Sequence, residues 1–320
     1  MKLSLSRRRG SSISELAAIG RGKKDTLKGM HLEDFVRLGG VTPFVLPPEL
    51  TPGDILIPTC MHAAAAFILN YGLKTPGLFR VPGNPTTTYA LYDYYQKQFE
   101  ENNNEPVVQT ISLAKLPGHI RYNVHDVTHL LKKLLYCLPG GLLGSPAVFQ
   151  ALYNIHSFVF PDPSLGDHIS SKVKPRMIAL ALASINLHSR ISLICAVFGL
   201  LRAVSLASDF DMEPRLRDPH ETFTAVREDA LSIIFGPLLL GDKSDQILVS
   251  ESEDGGGSLV PPKIVPTANA TPKLSKYTNR HSSAYTKMQM EKTKRAALVC
   301  EMLINGWEDI CYQLRKIDAL

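Results

Sequence analysis

Little in this chain points to a covalent framework or a metal centre. Its 320 residues hold five cysteines, an odd number, widely spaced and without a C-x-x-C pair; this argues against a disulfide scaffold and a zinc site and leaves buried thiols. No stretch reaches the roughly 20 uninterrupted apolar residues that a bilayer span needs, and the longest, Ile191 to Leu201, is read as a buried core helix. No apolar run follows Lys2, Arg7, Arg8 and Arg9, so a secretory signal is not expected and the chain is expected to be cytoplasmic. A G-x-x-x-x-G-K-[ST] phosphate loop is equally absent, so nucleotide hydrolysis by the chain itself is not expected, and H-E-x-x-H, G-x-S-x-G and the kinase signatures are missing too. Asp209, Asp211 and Glu213 hint at a calcium loop, but Pro214 stands where that turn requires glycine. The ten histidines are scattered, and neither a metal nor a cofactor is expected.

What is present is a large apolar fraction, 44% of the residues, enough for a sizeable core. The net charge of +5 is unevenly placed. Residues 1–30 carry eight Lys or Arg against Glu15 and Asp25, and residues 273–295 carry seven against Glu291, so the remaining body is acidic. A nucleic-acid reader places its positive charge on the folded surface, and nucleic acid is not an expected partner. The two basic tracts read either as solvated segments or as contacts to an anionic membrane surface or partner.

Along the chain, residues 1–40 read as a basic, disordered N-terminal segment and residues 41–318 as one domain. Residues 249–290 read as a Gly/Pro/Ser-rich disordered insertion, beginning near Glu251 and containing Pro261, Pro262, Pro266 and Pro272. Helical spacing predicts helices over 59–71, closed by Gly72, and over 86–99, 146–159, 172–186, 190–206, 222–235 and 292–316. Another starts near Asn123, where Val124, Val127, Leu130, Leu131, Leu134, Leu135 and Leu138 form one apolar stripe, with His125, His129, Lys132 and Tyr136 on the opposite flank. No run alternates as a strand for long. The expected class is all-α, a single multi-helix domain.

Between the first two of these helices lies Thr75-Pro76-Gly77-Leu78-Phe79-Arg80-Val81-Pro82-Gly83-Asn84, a bent loop presenting one long cation. Four blocks in order, spanning about residues 42–315, give the chain its resemblance to a known family. Gly77-Leu78-Phe79-Arg80 followed by Gly83 is similar to G-[IL]-F-R-x-x-G. His125-Asp126-Val127, then Leu131-Lys132, Leu135 and Leu138-Pro139, is similar to H-D-V…L-K-x-x-L-R-x-L-P. Ala230-Leu231 through Phe235-Gly236-Pro237 and Leu239 is similar to N-L-A-x-V-F-G-P-x-L-L, and Leu303-Ile304-Asn305 with Trp307 and Ile310 resembles a closing helix. Together they resemble the RhoGAP family, the GTPase-activating domains for Rho-type small GTPases.

The resemblance implies an arginine finger, Arg80, that enters a partner's nucleotide site in trans and stabilises charge shifting onto phosphate oxygens. A planar, permanently charged guanidinium suits that role, and such fingers are worth roughly 10³ to 10⁵ in rate in a related system. The implied partner is a Rho-type GTPase in its GTP-bound form, and no substrate turnover by the chain alone is implied. Lys132, Tyr136, Gly77, Gly83, Asn84 and His129 are the expected GTPase-binding set. Three positions depart from the family pattern: Tyr136 replaces an arginine, and Ala230 and Leu238 replace asparagines. The sequence therefore leaves two functions open, an activator or a module that keeps the fold and binds a GTPase or another partner as a scaffold.

Overall fold

The computed structural model describes residues 25–101, 114–158, 163–210, 228–241 and 278–318. The tract 1–24, the start of the expected 222–235 helix and most of the expected insertion, 249–277, lie outside the described residues. So do Asp211, Glu213 and Pro214.

Ten helices make up nearly all of the described structure, in the order α1 (Leu32–Gly39), α2 (Thr59–Tyr71), α3 (Pro85–Glu101), α4 (Val124–Tyr136), α5 (Pro146–Ser157), α6 (Pro163–Ala183), α7 (His188–Phe210), α8 (Glu228–Phe235), α9 (Thr278–Asn305) and α10 (Trp307–Lys316). The class is all-α. One short antiparallel ribbon interrupts it: β1 (Val41–Phe44) pairs with β2 (Ile55–Pro58), with Thr42 opposite Ile57. Four-residue strands containing Pro43 and Pro58 are too short to produce a legible alternation.

The centre of the molecule is α7. Ile191, Ile194, Phe198, Leu201 and Val204 are among its buried residues, and it packs against α1, α2, α9, α10 and β2. It is long and apolar enough to cross a bilayer by composition, but its faces are covered by protein. Gly199 is needed here because a Cβ would lie 2.4 Å from Leu46 Cδ1 and 2.7 Å from the Leu50 carbonyl oxygen.

Four expectations change in the structure. The helix expected over 172–186 spans Pro163–Ala183. Residues 25–40 belong to the fold, since Leu27, Leu32 and Phe35 are fully buried and the Gly29 N–H donates to the Cys137 carbonyl (2.9 Å). The part of the expected insertion within 278–290 is helical, because α9 begins at Thr278. The expected single closing helix is two, divided at Gly306 (φ −91°, ψ 9°), after which Trp307 restarts the helix as α10.

These closing elements are structural. Val299, Cys300, Leu303, Ile304, Trp307, Ile310, Cys311 and Leu314 are all fully buried. Trp307 stacks on Phe198 with 5.3 Å between ring centroids and donates through Nε1 to the Leu50 carbonyl (3.1 Å). Arg202 of α7 pairs with Glu228 of α8 (3.3 Å) and Glu308 of α10 (3.4 Å), linking segments that flank the long connection. The chain leaving α4 is fastened to the 3₁₀ turn after α8 (Gly236–Leu239) by Leu142 N–H to the Leu238 carbonyl (2.8 Å) and Leu143 N–H to the Leu239 carbonyl (3.1 Å).

Candidate functional site

The site is built on α4 and the loop that joins α2 to α3. α4 starts from a reciprocal cap: the Asn123 side chain accepts from the Asp126 N–H (3.0 Å), and the Asp126 carboxylate accepts from the Asn123 N–H (2.9 Å). The other oxygen of Asp126 accepts from the Asn84 N–H at 2.6 Å. One buried carboxylate thus ties the end of the loop to the start of α4. Sequence reasoning missed this role, although the Asn-x-x-Asp spacing before an apolar run is the signal for it.

The loop bends at Gly77 (φ 65°), whose carbonyl accepts from both the Arg80 and Val81 N–H groups (2.9 and 2.8 Å). Besides the positive φ, a Cβ at this position would lie 2.7 Å from Val81 Cγ2. Phe79 also has a left-handed backbone (φ 64°), a conformation that costs a bulky residue about 1–3 kcal/mol and persists only where its surroundings impose it. Two contacts impose it here. Its ring is 1% exposed and meets Phe235 of α8 edge-on, 5.0 Å between centroids, and its carbonyl accepts from Lys132 Nζ at 2.9 Å. The next side chain, Arg80, is exposed. Leu78 and Phe79 face the core, and Arg80 leaves it.

At the far end of the loop, Gly83 is pressed onto α4. A Cβ there would lie 2.7 Å from both Asp126 Cα and the His125 carbonyl oxygen, which are backbone atoms that no rotamer change can move aside. Its N–H donates to His129 Nδ1 at 3.2 Å. Burial and the adjacent Lys132 hold the His129 pKa below the ordinary value, against the opposing pull of Asp126. Desolvation also lowers that of Lys132. Asn84 caps α3, its side-chain oxygen accepting from the Thr86 N–H (2.9 Å).

The seven expected site residues therefore divide. Gly77, Gly83, Asn84, His129 and Lys132 converge on the loop and hold its backbone. Arg80 and Tyr136, the latter 48% exposed at the last residue of α4, lie on the outside. Ala230 and Leu238 are half-buried on α8 and the following turn, the elements that meet the loop through Phe235. Among the described residues, no group of three or more His, Cys, Asp or Glu side chains is arranged to hold a metal ion.

Comparison with known proteins gives this all-α domain a family. The family model for the RhoGAP domain matches residues 58–244, well over half of the chain. The chain belongs to the RhoGAP family. Helices α9 and α10 lie beyond the matched range.

A curated relative, the probable Rho-GTPase-activating protein 6 of Schizosaccharomyces pombe, is 23% identical over 278 residues, covering 86% of this chain and 32% of its own length. The chain thus spans about a third of that relative. Similar solved structures include human Rho GTPase activating protein 15 (TM-score 0.47, 16% identity, covering 94% of this chain and 99% of the other). The BH domain from Graf, the GTPase regulator associated with focal adhesion kinase, is another (TM-score 0.46, 12% identity, 79% and 93%).

Proposed function

We propose that this protein stimulates GTP hydrolysis by a Rho-type small GTPase in its GTP-bound form, with Arg80 acting in trans as the arginine finger. The observation that carries the reading is the contrast within one tripeptide: Leu78 and Phe79 are buried, and Arg80, held by the same backbone, is exposed. A guanidinium on a fixed backbone needs little ordering when it meets a phosphoryl group, so its interaction energy is available in the transition state. The chain supplies a residue to a partner's chemistry and turns over no substrate of its own. The same reading places it in the cytoplasm, with the basic tracts 1–30 and 273–295 favouring anionic lipid at low salt.

The substitutions at Tyr136, Ala230 and Leu238 favour a second reading, a module that binds a GTPase without accelerating it. Single-turnover hydrolysis by a panel of GTP-loaded Rho-type GTPases separates the two. The parent chain is expected to accelerate at least one of them, and Arg80→Ala to remove the acceleration, by on the order of 10³. Binding to a GTPase loaded with GDP and aluminium fluoride should fall more than binding to one loaded with a GTP analogue. Binding without acceleration by the parent would establish the second reading. An Arg80→Ala chain that stimulates within about twofold of the parent would remove Arg80 from the chemistry.

A further inference from the structure

Between the finger and Gly83 there are only two residues, Val81 and Pro82, and the ring of Pro82 removes one torsion from that short link. Where Gly83 sits thus bears directly on where Arg80 points. Two side chains fix the backbone at this end, Asp126 through the Asn84 N–H and His129 through the Gly83 N–H. They differ in kind, because a carboxylate near neutrality only accepts, whereas an imidazole accepts at Nδ1 only when it is neutral.

We propose that His129 is a titratable latch on the arginine-finger loop: its neutral ring holds the Gly83 N–H, and protonation releases it and slackens the finger. The inference rests on the reading of Arg80 given above, and it assigns His129 as a positioning residue rather than a catalytic one.

Protonation would place a second N–H opposite the Gly83 N–H. The amide has little room to turn to another acceptor, since Gly83 is buried with its Cα pressed on the first turn of α4. The charges acting on the ring lie on its own helix: Lys132 disfavours the imidazolium and Asp126 favours it. From the other elements packed on α4, Asp93 of α3 acts on Lys133, His62 of α2 meets Phe44 edge-on, and the turn after α8 carries no charged residue. The loop itself contributes Lys74 and Arg80, cations that add no pull toward the imidazolium. Because burial and Lys132 keep the folded ring harder to protonate than a free histidine, the latch is closed at neutral pH. The sign follows. Stabilisation of the loop by His129 is complete above the ordinary histidine range near pH 6.5 and is lost as pH falls through the lower folded value.

Three chains of full length test this: the parent, His129→Asn and His129→Leu. The asparagine side-chain oxygen reaches the region of Nδ1 and does not titrate, and leucine fills the space without an acceptor. In the parent, NMR is expected to show the His129 ring titrating below pH 6.5 and the Gly83 amide shifting with the same midpoint. Stimulation of a GTP-loaded Rho-type GTPase, normalised to that GTPase's intrinsic rate at each pH, should fall about three- to tenfold through this midpoint. His129→Asn, each rate taken relative to its own value at neutral pH, should lose the acid decline. His129→Leu should show the reduced rate at every pH, with the maximal rate affected more than the affinity. A Gly83 amide indifferent to the His129 titration, or an acid decline that persists in His129→Asn, would overturn the latch. Because the NMR titration needs no GTPase, it decides the latch even if the parent stimulates none of the GTPases, an outcome that would count only against the proposed function.

Discussion

The closing helices and the loop that carries Arg80 are held by different forces. The closing helices α9 and α10 are secured by contiguous apolar burial, eight fully buried residues from Val299 to Leu314 and the Trp307–Phe198 stack. The Arg80 loop is secured by a few directed contacts to single backbone atoms: Lys132 to the Phe79 carbonyl, His129 to the Gly83 N–H and Asp126 to the Asn84 N–H. Apolar burial is strong and indifferent to small displacements. Directed polar contacts contribute less each but set a position. Loss of the closing helices should thus cost the whole fold, whereas a change at the loop can cost the proposed chemistry without the fold being lost.

The largest expected effect comes from breaking the apolar region. Ending the chain at residue 290 removes all eight of those side chains, each large one contributing roughly 1.5–3 kcal/mol by burial, against the 5–15 kcal/mol expected for a whole domain. The shortened chain is expected to unfold or aggregate, seen as loss of the cooperative thermal transition by circular dichroism. Replacing residues 249–277 by a short Gly/Ser linker should leave the transition nearly unchanged, because closure entropy varies only with the logarithm of loop length. A soluble, active chain ending at residue 250 would mean that α9 and α10 are accessory.

The polar region breaks differently. Gly83→Ala sets a methyl group 2.7 Å from Asp126 Cα, so either the loop or the first turn of α4 must move. Overpacking of this kind costs about 1–3 kcal/mol, a shift of several degrees in Tm for a domain of this size. The expected loss of GTPase stimulation is larger in proportion, up to about 10²-fold, because positioning errors near 1 Å carry that penalty. A variant whose Tm falls but whose stimulation per folded molecule is unchanged would show that the loop does not need its anchor.

Much of this contrast could be read from the sequence, for reasons that differ by element. The α4 stripe and the closing apolar positions were legible because helical burial repeats every three to four residues. The bent loop was legible because glycine and proline have local causes. The use of His129 and Asp126 to hold the loop was not legible, because each is defined by a partner 46 or 42 residues away in the hydrogen-bonded pairs that close the loop on α4. Residues 25–40 were hidden by the basic tract before them, whose composition masks Leu27, Leu32 and Phe35. The break at Gly306 was hidden because Trp307 and Ile310 keep the apolar period across it.

The smallest expected effect sharpens the comparison from the outer surface. Lys132 directs its ammonium to the Phe79 carbonyl, and Lys133 lies 3.9 Å from the ring centroids of both Tyr89 and Tyr92. The cations of this helix are therefore engaged within the molecule. Tyr136, one turn beyond Lys132 and 48% exposed, occupies the position where the family pattern places arginine. Tyr136→Arg adds a cation at the C-terminal turn of α4, where the helix dipole favours it by a few tenths to about 1 kcal/mol, so Tm should hold or rise slightly. If a GTPase acceptor faces this position, the new charge-assisted hydrogen bond should raise affinity or rate by up to about tenfold. Because the contact lies at the surface, that gain should shrink as salt is raised and the Debye length shortens. A gain of that size and salt dependence would make Tyr136 the point at which this surface weakened. An unchanged affinity with an intact fold would mean that the surface is complete with tyrosine, and that the loop anchors alone distinguish the polar region from the apolar one.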